Sequence, residues 1–357
     1  MPMNVIIVGG GVAGCYVGQL LRKKGFTPLV LEEHSEIGRP VQCSGLIGRE
    51  TVDSAKVPFP RHVILRRIDG ATFYLGENHF TIERDNAAYV VDRGLLDKHF
   101  SQGLCINCGE KVISLENGTQ ITVTTTKDQY TCDRLLGCDG PFSVVRKEAG
   151  FSLNPSFYPA AQYIVRLAPE DDFVHLHVHP PFFFWLIPET EETMRVGYIG
   201  PQPVSHLNRF MERKEIRGKI LERQAGLIPL GYGEIVRKRI ALIGDSACQV
   251  KPLTGGGIYY SMKASEMAAQ CLEDLRDYEK AWKKNFGTEI KICLRIRKIY
   301  ETMSRKNLTR VFNVFRENTS IIETVADFER HSSIIKEFAT NPIMFRLVGS
   351  AVRELLR

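Results

Sequence analysis

The sequence predicts a mixed α/β (α+β) protein: a parallel α/β half, an antiparallel β-sheet half and a helical C-terminal region. Three observations predict it. At the N-terminus, "NVIIVGGGVAGCYVGQLLRKKGFTPLVLEEH" reads as strand, glycine turn, helix, strand. The stretches 60–85 and 110–136 carry the two-residue alternation of antiparallel strands, and 160–200 is β-rich. From about Asp277 onward helix formers dominate.

The chain has 357 residues, 43% hydrophobic and 25% charged. That is enough for one large domain or two intimate ones, with a core that needs no metal or disulfide staple. The net charge of +6 is mild. No nucleic-acid-binding signature is present, so nucleic acid is not an expected partner. No apolar run reaches the roughly 18 residues of a membrane span. Met1 runs directly into a strand pattern, and nine cysteines make an odd set; free thiols in a reducing cytoplasm are the expectation. Cys105 and Cys108 form a lone CxxC without a second pair at zinc spacing. His175, His177 and His179 alternate along one strand face with no carboxylate in that strand. Both patterns read as structural, and no metal is expected.

In the first unit, Val5–Val8 is a short apolar strand, and Gly9, Gly11 and Gly14 form GxGxxG around Ala13. Gly9 permits the tight turn, Gly11 the close approach of a pyrophosphate, and Gly14 close helix–strand packing. The helix N-terminus offers free N–H groups and partial positive charge to phosphates. Gly25 stops the helix, and the second strand ends in Glu32 and Glu33. Glu32 is placed to accept from ribose hydroxyls. These features together predict a Rossmann-like dinucleotide-binding unit.

The loop "GRPVQCSGLIG" (Gly38–Gly48) follows. Its thiol, Cys43, reads either as a small residue packed in a glycine loop or as a group beside something reactive. The loop's place in the chain puts Arg39 toward the adenosine side of the nucleotide, and Cys43, Ser44 and Gly45 toward its reactive end.

Two later segments sharpen the cofactor to FAD. "CDGPFSVVR" sets Asp139-Gly140 after an apolar strand, then Ser143 and Arg146. "GDSACQVKPLTGGGI" sets Gly244-Asp245 after a strand, then Pro252 and Gly255, Gly256 and Gly257 before a helix opening at Ile258. An aspartate at a strand end can hold a ribityl or ribose hydroxyl. A triple glycine opening a helix aims N–H groups at an anion, which favours negative charge on the N1–C2 edge of a reduced flavin.

"PFFFWLIP" (Pro181–Pro188) is a dense aromatic strand with Phe183 and Trp185 on one side and Phe182 and Phe184 on the other. It reads either as a core strand or as an apolar wall beside a flavin. In the stretch 283–316, ten basic residues against two acids leave +8, more than the whole chain's +6. Ile290, Leu294, Ile299, Met303, Leu308 and Phe312 run through it. This is either a membrane-surface element attracted to anionic head groups or the solvated face of a packed helix.

Taken in order, "GGGVAG", "CDGPFSVVR" and "GDSACQVKPLTGGGI" resemble the flavoproteins of p-hydroxybenzoate hydroxylase-like fold. Within them the chain resembles the geranylgeranyl reductase family over about residues 4–275. "GRPVQCSGL", "AYVVDRGLLDKHF", "FFFWLIP" and "GDSACQVKPLTGGGIYYSMKAS" carry that resemblance. The aromatic strand departs from the family pattern: Phe183 stands for Tyr, Ile187 for Phe, and Glu189 and Thr190 follow the proline.

The resemblance implies that Arg93, in "VDR", contacts FAD, and that Asp245 and Gly255–Gly257 sit by the flavin ring. It makes Cys43 a catalytic candidate, and Phe183, Trp185 and Pro188 substrate-side residues. It implies a discontinuous FAD-binding domain (1–60, 86–150 and 234–276), a substrate-binding β-sheet domain (61–85 and 151–233) and a C-terminal helical region (277–357). The implied reaction saturates C=C bonds of geranylgeranyl chains of membrane lipids by hydride transfer from reduced flavin. The implied electron donor is NAD(P)H or ferredoxin, with peripheral membrane contact through 283–316. An aromatic monooxygenase or a halogenase of the same fold is the alternative.

Overall fold

The computed structural model describes residues 3–339. A six-stranded sheet has the order 236–237, 240–242, 134–137, 5–8, 29–31, 105–107, parallel except for the edge strand Val236–Arg237. All four residues of Val5–Val8 are buried, as expected of a parallel strand covered on both faces. The helix Val12–Lys23 starts directly from the Gly11 N-cap and ends before Gly25, whose φ is +87°. It packs on Ile258–Gln270, where Tyr16 Oη donates to Glu266 Oε1 at 3.0 Å.

An eight-stranded mixed sheet has the order 219–230, 156–166, 193–199, 182–188, 173–179, 64–75, 78–91, 46–48. Its neighbours are antiparallel except 173–179 with 64–75. The strand Asn78–Val91 runs through the boundary expected at 85/86. Leu46–Gly48, expected within the FAD-binding segments, pairs with its end. Both segments therefore belong to the eight-stranded sheet. A three-stranded sheet, 112–117, 121–125 and 129–132, completes the β structure among the described residues.

At the C-terminal side lie the helices Leu275–Thr302, Arg305–Glu317, Thr319–Val325 and Ser332–Ala339; residues 340–357 of the expected helical region lie outside the described residues. The apolar stripe of 283–316 is a packing face: Ile290, Leu308 and Phe312 are buried. Phe312 meets Phe80 of the large sheet with ring centroids 5.0 Å apart. One of the ten basic residues, Arg297, is itself buried and donates to Glu301 at 3.0 Å. Most of the others are exposed. No helix among the described residues is long and apolar enough to cross a membrane.

The three alternating histidines sit in aromatic packing. His175 contacts Tyr74 Oη and Asp171 at 3.1 Å each, and His177 stacks on Tyr74 at 4.4 Å. Burial pulls the His177 pKa down to about 4.

Candidate functional site

A cavity of about 1930 Å³ runs between the two large sheets. One end is lined by the glycine turns of the parallel sheet. The other is apolar, walled by the eight-stranded sheet and roofed by the C-terminal helices.

At the first end, Gly9 has φ +100°, and a Cβ there would collide with the Cys138 carbonyl. A Cβ at Gly14 would collide with the Gly9 oxygen, so this glycine shapes the turn from behind. Gly11 has nothing within 4 Å of its Cβ position and opens toward the cavity. Glu32 is buried and accepts from the Gly10 N–H at 2.6 Å and the His34 N–H at 2.8 Å. It therefore braces the glycine turn as well as lining the cavity. Glu33 lines the rim and pairs with Lys111 at 2.7 Å.

Asp139 accepts from Ser143 Oγ at 2.6 Å and the Val145 N–H at 3.0 Å. Its carboxylate caps the short helix Val144–Glu148, and burial raises its pKa against those two donors. Gly140, φ +73°, meets open space beside it.

The loop Gly38–Gly48 is held by two close approaches. A Cβ at Gly38 (φ +80°) would collide with Gly94, and one at Gly45 (φ +65°) with the Val91 oxygen and the Arg195 guanidinium. Arg195 donates to the Ser44 oxygen, and to Glu189 Oε1 from Nε at 3.0 Å and Nη2 at 2.7 Å, with both side chains buried. The Gly45 N–H donates to Cys43 Sγ at 3.4 Å. The thiol faces the cavity beside Arg93.

Arg93 Nη2 donates to both Asp97 oxygens at 3.0 and 3.1 Å. Its Nε is buried without a partner. Burial works against the guanidinium charge, but Asp97 and Cys43 outweigh it and hold the pKa above its ordinary value. Burial pushes Asp245 up to about 6, with Arg93 pulling the other way. Cys43, Arg93 and Asp245 thus converge on one stretch of the cavity.

The loop Gly255–Gly257 closes this stretch. Gly255 has φ +79°. The Lys251 oxygen accepts from the Gly255 N–H at 2.8 Å, and the Lys251 N–H donates to Gly256 O at 2.9 Å. The helix Ile258–Gln270 then begins at Gly257 with no side-chain cap, leaving its first N–H groups to a ligand. An unpartnered guanidinium nitrogen, an uncapped helix start and an open Gly11 suit a dinucleotide.

At the apolar end, Phe183 and Trp185 line the cavity, while Phe182 and Phe184 pack into the core. Phe184 stacks on Phe210 at 4.2 Å. The Trp185 indole covers its cross-strand partner Gly197, where a Cβ would collide with the ring. Its Nε1 donates to Gln162 at 2.9 Å, and Gln162 donates to Gln224 at 2.7 Å. Ile299, Met303, Leu308, Val311, Phe315 and Phe328 form the roof.

Of the residues expected at the site, Gly9, Gly11, Ala13, Glu32, Glu33 and Arg39 line the cavity, as do Cys43, Ser44, Arg93, Asp139 and Gly140. So do Asp245, Gly255, Gly256, Gly257, Ile258, Phe183 and Trp185. Gly14, Gly45, Gly244, Pro252 and Pro188 stand behind the lining and shape it; Pro188 ends its strand opposite Met194. Sequence reading missed Asp97, Gln162, Arg195, Gly197, Lys251 and Glu329. Lys251 lies inside the quoted motif "GDSACQVKPLTGGGI". Glu329 carries no local signal, because its partners are 78 to 281 positions away.

A family model described as an NAD(P)-binding Rossmann-like domain matches residues 7–56. An uncharacterized protein of Methanocaldococcus jannaschii is 29% identical, over 93% of each chain. Digeranylgeranylglycerophospholipid reductase 2 of Methanothermobacter thermautotrophicus is also 29% identical, over 86% of this chain and 90% of that protein. A solved structure of a geranylgeranyl bacteriochlorophyll reductase-like protein from Thermoplasma acidophilum superposes with TM-score 0.83 at 18% identity, covering 97% of this chain and 98% of that one. The fold is of the p-hydroxybenzoate hydroxylase-like class, and the similarity to named reductases makes the chain an oxidoreductase. Within that class the chain is similar to digeranylgeranylglycerophospholipid reductases and to the geranylgeranyl bacteriochlorophyll reductase-like structure.

Proposed function

We propose that the cavity binds FAD, and that the protein saturates C=C bonds in the geranylgeranyl chains of a membrane lipid. One observation carries this: a single cavity passes from the glycine turns, beside Cys43, Arg93 and Asp245, into an apolar half walled by Phe183 and Trp185. Reduced FAD supplies a hydride from N5. The protein's residues bind, orient and shield.

Gly11 admits the pyrophosphate, and Glu32 takes the ribose hydroxyls. Arg93 Nε and Asp245 meet the ribityl–flavin region. The N–H groups after Gly255 favour negative charge on the pyrimidine edge. A chain of about 20 carbons has no polar handle, so the apolar wall aligns it and excludes water. Cys43, held by Gly45 beside the Arg93 cation, is the group positioned to give a proton to the alkene carbon that does not receive hydride. The discontinuous FAD-binding domain and the β-sheet substrate domain are the two sides of this cavity. NAD(P)H or ferredoxin would be the electron donor to the bound flavin. A cytoplasmic protein touching the membrane surface through the exposed basic side chains of 283–316 would meet such a lipid.

The test is anaerobic incubation of the dithionite-reduced, FAD-loaded protein with geranylgeranyl lipids, followed by mass spectrometry. Gain of two hydrogens per reduced bond is expected. A halide-dependent or oxygenated product on an aromatic substrate, with the lipids untouched, overturns the reading. Cys43→Ala and Cys43→Ser, both giving wild-type turnover and product pattern, would remove the thiol from the chemistry.

A further inference from the structure

Glu329 gathers three distant parts of the chain. Its Oε1 accepts from the Gly48 N–H at 3.0 Å and Thr51 Oγ1 at 2.8 Å. Its Oε2 lies 2.9 Å from Lys251 Nζ, with side-chain exposures of 2% for Glu329 and 7% for Lys251. Lys251 Nζ also donates to the Phe328 oxygen at 2.9 Å and lies 4.2 Å from the Phe328 ring centroid. The Lys251 stem runs beneath the glycine loop: a Cβ on Gly256 would lie 2.9 Å from its Cε and 3.5 Å from its Nζ. His331 lines the cavity beside this pair. One carboxylate therefore ties the segment after the Cys43 loop, the glycine loop and the cavity roof together.

We propose that Lys251 and Glu329 are a positioning pair that links occupancy of the apolar half to the reducing strength of the flavin. This rests on the FAD reading above. A cation under Gly256 stabilises negative charge on a reduced pyrimidine edge and so makes the flavin a weaker hydride donor. Glu329 cancels that cation while the roof is seated. A lipid packed against Phe328 seats the roof, completes the neutralisation and lowers the flavin potential. Linkage then requires the lipid to bind oxidised and reduced protein with affinities that differ by the same factor.

The experiment measures the flavin midpoint potential of the FAD-loaded full chain, with and without geranylgeraniol in detergent micelles. In the wild type, geranylgeraniol should lower the potential by about 30 mV, a tenfold change for a two-electron couple. Glu329→Gln should raise the lipid-free potential by a similar amount and abolish the lipid response. Lys251→Met/Glu329→Leu removes both buried charges, so it keeps the test open if Glu329→Gln folds poorly. Its lipid-free potential should lie near that of the lipid-bound wild type, again without a lipid response. FAD-bound variants that keep the wild-type potential and response overturn the inference alone. A wild-type chain that takes up no FAD overturns the flavin reading and this inference with it.

Discussion

At the glycine-turn end, the cavity is walled by the backbone of Gly9, Gly11, Gly140 and Gly255–Gly257, with open space at Gly11 and Gly140. At the apolar end it is walled by side chains drawn from many strands and helices, such as Trp185 over Gly197 and Phe315 in the roof. The difference teaches where each end is vulnerable. Backbone walls fail by steric intrusion at a few positions and leave the rest of the protein intact. Side-chain walls fail gradually, because each residue both lines the cavity and packs the sheet.

Arg195 sits where the two ends meet, so its loss should be the most damaging. Arg195→Met strands the buried Glu189 carboxylate and frees Ser44. A loss of about 4 kcal/mol is expected from chemical denaturation, together with weakened FAD binding. Wild-type values for both would show that the junction does not depend on this pair. Gly14→Ala forces a Cβ into the Gly9 carbonyl and should cost about 3 kcal/mol in thermal unfolding. An unchanged melting temperature would mean that the turn is softer than its geometry indicates.

Trp185→Ala probes the opposite end. A loss of about 2 kcal/mol is expected, less than for a fully buried tryptophan because one face borders the cavity. FAD affinity should be unchanged and KM for the lipid raised. Equal losses in both would erase the contrast between the two ends. Gly11→Ala should leave stability within about 0.5 kcal/mol, since its Cβ meets open space. It should nevertheless weaken FAD binding at least tenfold in a fluorescence titration of the apoprotein. Tight binding would move the pyrophosphate away from this glycine.

The smallest effect belongs to Asp245 in the apoprotein. Its folded-state pKa of about 6 lies above the ordinary carboxylate range, so the folded chain favours the protonated form. That contribution is full below about pH 4 and is lost as pH rises through about 6. Asp245→Asn should therefore be more stable than wild type at pH 7, by about 1 kcal/mol after allowance for water in the cavity, and not at pH 4. A pH-independent difference would show that the carboxylate is not desolvated.

Legibility in the sequence followed the same division. GxGxxG, the Asp139-Gly140 turn and the triple glycine are contiguous, because backbone cradles need particular residues at fixed short spacing. Phe183 and Trp185 were visible as an alternating strand. Asp139 was legible as a site residue, but its role as a helix cap depends on Ser143 Oγ and the Val145 N–H, and only three-dimensional placement shows those bonds. The apolar stripe of 283–316 was legible, but its destination was not: amphipathicity records that one face avoids water, without saying what covers it. Gln162, Gly197 and Glu329 left no local pattern, because their partners come from other strands and from the far end of the chain.

The order of the six-stranded sheet also has a consequence in time. Val5–Val8 is made well before its partners: it lies beside Arg134–Gly137, which in turn lies beside Ile240–Leu242. On a ribosome adding about 5–20 residues per second, the interval between the first and last of these strands is on the order of ten seconds or more. Throughout it an entirely apolar strand waits for its sheet to be completed. Long-range parallel pairing of this kind is slow and exposes sticky edges. Yield of the native protein should therefore depend on chaperones and synthesis rate more steeply than its final stability would suggest.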